Sequence, residues 1–178
     1  MFQALTEFLI LPYSSAQGMG LLDRLTRELG SDRWNRFWGA VAFASASGND
    51  ARLLGALAQF AERGGTISLT FGADLFGSDG YGTDSDAVQA LLSIFHSYEN
   101  ARIFLYHERG RTFHPKIYVF AGEQEALVIV GSSNWTRGGL SENVEANVVV
   151  QLNLLDEENR AAFDDLVRVI EEYWTDEE

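Results

Sequence analysis

Apolar residues along the chain fall into strand-length and helix-length blocks that alternate. Phe8-Leu-Ile-Leu-Pro12 predicts a short strand, and after Gly18-Met-Gly20 the positions Leu21, Leu22, Leu25 and Leu29 keep helical spacing until Gly30 stops them. Trp38 to Ala44 predicts a second strand. Asn49 or Asp50 caps a helix carrying Leu53, Leu54, Leu57, Ala58 and Phe60 on one side, and Gly64-Gly65 ends it. Thr66 to Phe71 follows as a buried strand. Gly72 to Thr83, rich in Gly and Asp, is the longest expected loop and a candidate rim for a site. Asp84 or Ser85 then caps a helix running to about Tyr98.

Strands are expected at Ala101 to Tyr106, Thr112 to Phe120, Leu127 to Val130 and Val144 to Leu152. An amphipathic helix from Asp156 to Trp174 closes the chain, with Phe163, Leu166, Val167, Ile170 and Trp174 turned inward. Strand and helix alternate early and strands cluster late. That order predicts an α/β fold, a central mixed β-sheet flanked by helices. With 178 residues, 46% of them apolar, residues 1–178 are expected to form a single domain around one substantial core.

Composition narrows the chemistry. The chain has no cysteine, which excludes a disulfide framework, thiolate metal sites and cysteine nucleophiles. No Lys or Arg precedes the apolar stretch Phe8 to Leu11 and Glu7 interrupts it, so it does not read as a signal peptide, and no run reaches the length of about 18 apolar residues that a membrane span needs. The expectation is a cytoplasmic protein without a membrane partner. Net charge is −13, from 13 basic against 26 acidic residues, which opposes approach to a polyanion. The acid is uneven: the segment from Asp156 to Glu178 holds ten carboxylates against Arg160 and Arg168 only. Arg102, Arg109, Arg111, Lys116 and Arg137 lie in or beside one stretch, and Lys116 is the only lysine.

That stretch, Phe113 to Val150, holds His114-Pro-Lys116, then Gly131-Ser132-Ser133-Asn134, then Glu145. On a strand, positions 114 and 116 share a face, which sets an imidazole beside an ammonium. A neutral histidine can attack phosphorus while the lysine neutralises the equatorial oxygens of the transition state. The small residues and amide of the Gly-Ser-Ser-Asn turn offer donors to a phosphate. A carboxylate at Glu145 that accepts the proton on the nucleophilic ring's Nδ1 leaves Nε2 free to attack.

HxK, a GSxN turn after an apolar strand, and a Glu at the head of the next strand, eleven positions beyond Asn134, together resemble the phospholipase D superfamily, in particular its small bacterial nucleases. The resemblance implies a reaction without metal or other cofactor, in which His114 forms a phosphohistidine. A second His114 protonates the leaving oxygen and later activates water. Superfamily members need two HxK motifs and this chain has one, so the resemblance implies a two-fold homodimer with one shared site, where Lys116, Ser132 and Asn134 of both chains hold the phosphate. The fuller motif HxKx4D is not met, because Ala121 stands at the aspartate position.

The catalytic candidates are therefore His114, Lys116, Asn134 and Glu145; the substrate-binding candidates are Ser132, Ser133, Trp135 and Arg137. Ser133 either serves the turn or meets substrate, Trp135 either stacks on a base or packs at an interface, and Arg137 is either a phosphate contact or a solvated side chain. His96 and His107 read as structural, His107 being the nearer to Arg109 and Arg111. The favoured function is a DNA endonuclease, in preference to RNA, acting in restriction or another defence role, with specificity supplied by a separate recognition domain or partner. Two other readings stand beside it: a phospholipase D or phosphatidyltransferase acting on lipids, and a non-catalytic dimer binding nucleic acid or protein.

Overall fold

A computed structural model describes residues 5–11, 20–73 and 82–174. Its strands are β1 (Leu5–Leu11), β2 (Arg36–Val41), β3 (Thr66–Gly72), β4 (Ala101–Tyr106), β5 (Lys116–Ala121), β6 (Glu125–Gly131) and β7 (Glu145–Asn153). The helices are α1 (Leu21–Leu29), α2 (Ala51–Glu62), α3 (Ser85–Phe95) and α4 (Glu157–Glu172). All seven strands join one sheet in the order β1-β7-β6-β5-β2-β3-β4. Strands β2, β3 and β4 run parallel, joined through α2 and α3, and the other neighbours pair antiparallel. The expected mixed sheet flanked by helices is therefore the fold.

Aspartates start three of the helices. Asp50, Asp84 and Asp156 each accept a hydrogen bond from a backbone N–H of the first turn they precede, which satisfies donors a helix start leaves open. One face of the sheet buries Phe37, Leu69, Tyr118, Phe120 and Ile129 beneath the apolar sides of α1, α2 and α3. The other face carries α4, whose Phe163 and Ile170 cover Trp38, Val119, Ala121 and Val128. Ala121 is thus a buried packing position, where an unpaired aspartate would be costly.

Strands β1, β2 and β6 begin two or three residues earlier than expected, and two further boundaries move for one reason. Pro115 has no N–H to give the ladder, so β5 starts at Lys116 rather than Thr112. Across from it β2 ends at Val41, the partner of Lys116, rather than at Ala44. Pro115 can still accept, and its carbonyl takes the Ala42 N–H at 2.8 Å. The chain then continues irregularly, and Ala44 bridges to Trp135. Pro12 and most of the expected rim loop, residues 74–81, lie outside the described residues. Among the described residues no helix is long and apolar enough to cross a membrane.

Candidate active site

The site gathers at the edge where β5 and β7 begin and β6 ends. His114 lies ahead of β5, so strand alternation does not set it beside Lys116; the lysine side chain does. Its Nζ stands 3.0 Å from His114 Nδ1 and 3.1 Å from Nε2, and donates to the His114 carbonyl at 3.1 Å. His114 is exposed, whereas Lys116 is only 7% exposed. Burial lowers the lysine pKa, and the opposite charge of Glu145 pulls it back less strongly. The ring of Phe43 meets His114 edge-on, with centroids 6.0 Å apart. The carbonyl of Phe43 accepts the Trp135 N–H at 3.0 Å, so the stretch after β2 connects the histidine to the turn after β6.

That turn can lie against β7 only because residue 131 is glycine: a Cβ there would collide with the Ala146 carbonyl and the Asn147 side chain. Ser132 is exposed and donates to Glu145, and its Oγ accepts from the Ala146 N–H at 3.1 Å. Asn134 is half-buried and its Oδ1 has no hydrogen-bond partner among the described residues. Gly139, within the π-type turn Gly138–Glu142, packs so closely that a Cβ would lie 2.6 Å from the Asn134 nitrogen. Glu145 heads β7 as expected, where it accepts from Ser132 Oγ and, at 3.4 Å, from Asn143 Nδ2. Among the described residues it makes no hydrogen bond to His114.

The structure brings His114, Lys116, Ser132 and Glu145 to one edge with Asn134 close behind, buries two of the substrate-binding candidates, Trp135 and Ser133, and leaves Arg137 exposed in a different cleft. Trp135 is fully buried; its indole N–H donates to Asn49 at 2.9 Å and its ring meets Phe71 edge-on, so it belongs to the core and not to a base-stacking surface. Ser133 is buried too, with its Oγ accepting from Asn147 at 2.9 Å. Arg137 is exposed and reaches Glu142 at 4.0 Å, in a cleft of about 530 Å³ that it lines with Asp50 and Arg52 and that none of His114, Lys116 and Glu145 lines.

Sequence reasoning passed over four supports, Phe43, Tyr118, Asn143 and Asn147. Tyr118 donates to the Ser133 carbonyl at 3.1 Å, and Asn147 holds Ser133 from β7. Their signal was positional: Tyr118 lies two residues beyond Lys116, and Asn147 two beyond Glu145, on the same faces of their strands.

A histidine and a buried lysine are thus bonded to each other beside a Ser-Ser-Asn turn and a carboxylate, at one end of a mixed sheet. Residues 35–167 match the family model described as cardiolipin synthase, PLD-like domain, and the chain belongs to the phospholipase D superfamily. Among solved structures, NucT from Helicobacter pylori is similar with a TM-score of 0.66 at 14% identity, over 96% of this chain and 98% of that one. Nuc from Salmonella typhimurium, a phospholipase D family member, is similar with a TM-score of 0.65 at 16% identity, over 97% and 95% of the two chains. A mutant of yeast tyrosyl-DNA phosphodiesterase reaches 0.52 at 12% identity, over 84% of this chain and 33% of that one. At these identities the likeness is one of fold. No curated protein matches the chain in sequence.

Proposed function

We propose that the chain is a metal-independent phosphodiesterase that cuts DNA in the cytoplasm, through a site completed by a second copy. The observation that carries the reading is the His114–Lys116 pair. An ammonium that donates to a ring nitrogen needs that nitrogen's lone pair, and the same lone pair is what attacks phosphorus. His114 forms the N–P bond as the P–O bond to the leaving strand breaks, and the partner's His114 gives that oxygen its proton. The partner's His114 then takes a proton from water, which attacks the phosphohistidine and frees the phosphate end. Lys116 and the Asn134 amide hold the non-bridging oxygens, and the Ser132 hydroxyl joins them by turning its proton from Glu145 to the phosphate. Glu145, without a bond to its own histidine, fits the role of orienting the partner's His114 across the two-fold axis.

A row of apolar side chains, exposed at Phe8, Val130 and Val144 and half-buried at Val148, supports the pairing. Phe8 is 68% exposed and lies opposite Val148, which in turn lies opposite Val130, 46% exposed. Val144 extends the patch beside Glu145 and is 76% exposed. The row lies on the sheet face that carries α4, in the part that the helix does not reach, next to the site, and an exposed apolar patch of this kind suits an interface.

The test is incubation of purified protein with plasmid DNA, and separately with phosphatidylcholine vesicles, in excess EDTA. DNA cleavage by the wild type, lost in His114→Ala, is the expected result. Cutting that appears only on addition of magnesium overturns the phosphohistidine step, and turnover of lipid alone overturns the substrate.

A further inference from the structure

We infer that the hairpin between β4 and β5 is a second phosphate-binding arm, in which Arg109 holds a backbone phosphate of the cut strand some way from the scissile one. The inference rests on the nuclease reading and concerns how that site grips a long substrate. Of the five basic residues in or beside the motif stretch, the structure takes three away from this role. Arg102 lines a cleft with Arg36 beside the start of β2, at the far end of that strand from Val41 and Lys116. Arg137 faces Glu142 in the cleft with Asp50 and Arg52. Arg111 pairs with Glu108 at 3.0 Å.

Arg109 is what remains. Glu108 and Arg111 bridge, which leaves Arg109 and Gly110 at the tip, and the left-handed φ of +82° at Gly110 is one that glycine adopts without strain. Glu108 is engaged twice, by Arg111 and by the Tyr106 hydroxyl at 2.6 Å, so it turns inward. His107 and Arg109 alternate outward, both exposed, and Arg109 has no carboxylate partner among the described residues. In a chain of net charge −13, an exposed guanidinium without a carboxylate partner among the described residues, five positions before the candidate nucleophile, stands out as a site for an anion.

The arm is also held in place. Phe113, the residue before His114, stacks on Tyr106 at 4.7 Å and meets Tyr173 of the α4 end edge-on at 5.0 Å. The base of the hairpin is thereby fixed relative to His114, and the Glu108–Arg111 bridge closes the turn above it, which lowers the cost of ordering a contact at Arg109. Arg109 lies five positions before His114, at most about 17 Å of extended chain. One strand of duplex carries a phosphate every 3.4 Å or so of axis, so a neighbouring phosphate lies within reach while the scissile one stays at His114. The ligand is the phosphodiester backbone, read without regard to base.

The measurement is anisotropy of a labelled DNA duplex bound to the full chain across a salt series, for the wild type, Arg109→Ala, Arg109→Lys and Arg168→Ala. Arg168 is an exposed α4 residue paired with Asp165 and Glu172 and controls for the loss of one positive charge elsewhere. Arg109→Ala should weaken binding about three- to tenfold and flatten the slope of log Kd against log salt by about 0.9, one phosphate contact. Arg109→Lys should keep most of that slope, and Arg168→Ala should leave it unchanged. A slope for Arg109→Ala equal to that of Arg168→Ala overturns the arm. Hydrolysis of bis(p-nitrophenyl) phosphate in EDTA, read in parallel, reports on the chemistry alone, so loss of the nuclease reading and loss of the arm give different patterns.

Discussion

The hydroxyl of Tyr118 donates to the carbonyl of Ser133 at 3.1 Å, and so joins the strand that carries Lys116 to the turn that carries Ser132 and Asn134. Both groups are buried, and burial raises the phenol pKa, with the charge of Glu145 adding to it, so the donor stays protonated throughout the working range. Tyr118→Phe removes the donor and leaves a buried carbonyl unpaired, at a cost of about 1–3 kcal/mol. Urea denaturation should show that loss with an unchanged m-value, and kcat should fall because the turn is no longer fixed to β5. A variant with wild-type stability and kcat would show that the bond positions nothing.

Lys116 sets a pH limit on activity. Its pKa lies below the ordinary lysine value of about 10.4, chiefly through burial. The reaction needs the ammonium, so the alkaline limb of kcat/KM should fall below that value, and Lys116→Arg, which stays charged, should remove the limb even as the poorer fit lowers the rate. Stability runs the other way. At pH below the lowered folded pKa the cost of the buried ammonium is fully present; as pH rises from there towards the unfolded value, the folded state sheds the proton first and this cost is relieved. Lys116→Met should therefore lose the activity without losing stability. A melting temperature well below wild type at neutral pH would contradict this.

Much of this was legible from sequence because it depends on local rules. Of the caps the sequence offers, Asp50 rather than Asn49 and Asp84 rather than Ser85 serve, Asp156 starts the last helix, and the HxK pair and the turn after β6 are local in the chain. What misled was non-local. Trp135 follows Asn134 directly and so reads as exposed, yet its indole partner is Asn49, 86 positions earlier, and only the closed sheet brings them together. The row Phe8, Val148 and Val130 depends on the register of β1 against β7 and of β7 against β6, which no single segment encodes. Pro115 was visible, but its effect on both β5 and β2 follows only once those strands are known to pair.

The burial of Trp135 makes its substitution a question of stability. Trp135→Phe leaves Asn49 Oδ1 without its donor and opens space against Phe71 and Tyr118, a loss of about 2–4 kcal/mol. Thermal denaturation should show it, while affinity for DNA of the folded fraction should hold. If affinity falls and stability does not, Trp135 contacts substrate after all.

The open sheet face decides whether the site is shared. Val130 is exposed opposite Val148, and a charge there would be solvated in a single chain but trapped without a partner charge if a second copy covers the row. Val130→Glu should therefore leave the circular dichroism spectrum and melting of the chain nearly unchanged, convert a dimer to a monomer by sedimentation, and abolish phosphodiester cleavage although His114 and Lys116 are untouched. The loss should reverse in part at high protein concentration, where mass action favours pairing. A wild-type chain that sediments as a monomer and still cleaves DNA in EDTA would remove the shared site. One HxK would then serve both proton transfers, and the histidine that protonates the leaving strand would have to be sought within the same chain.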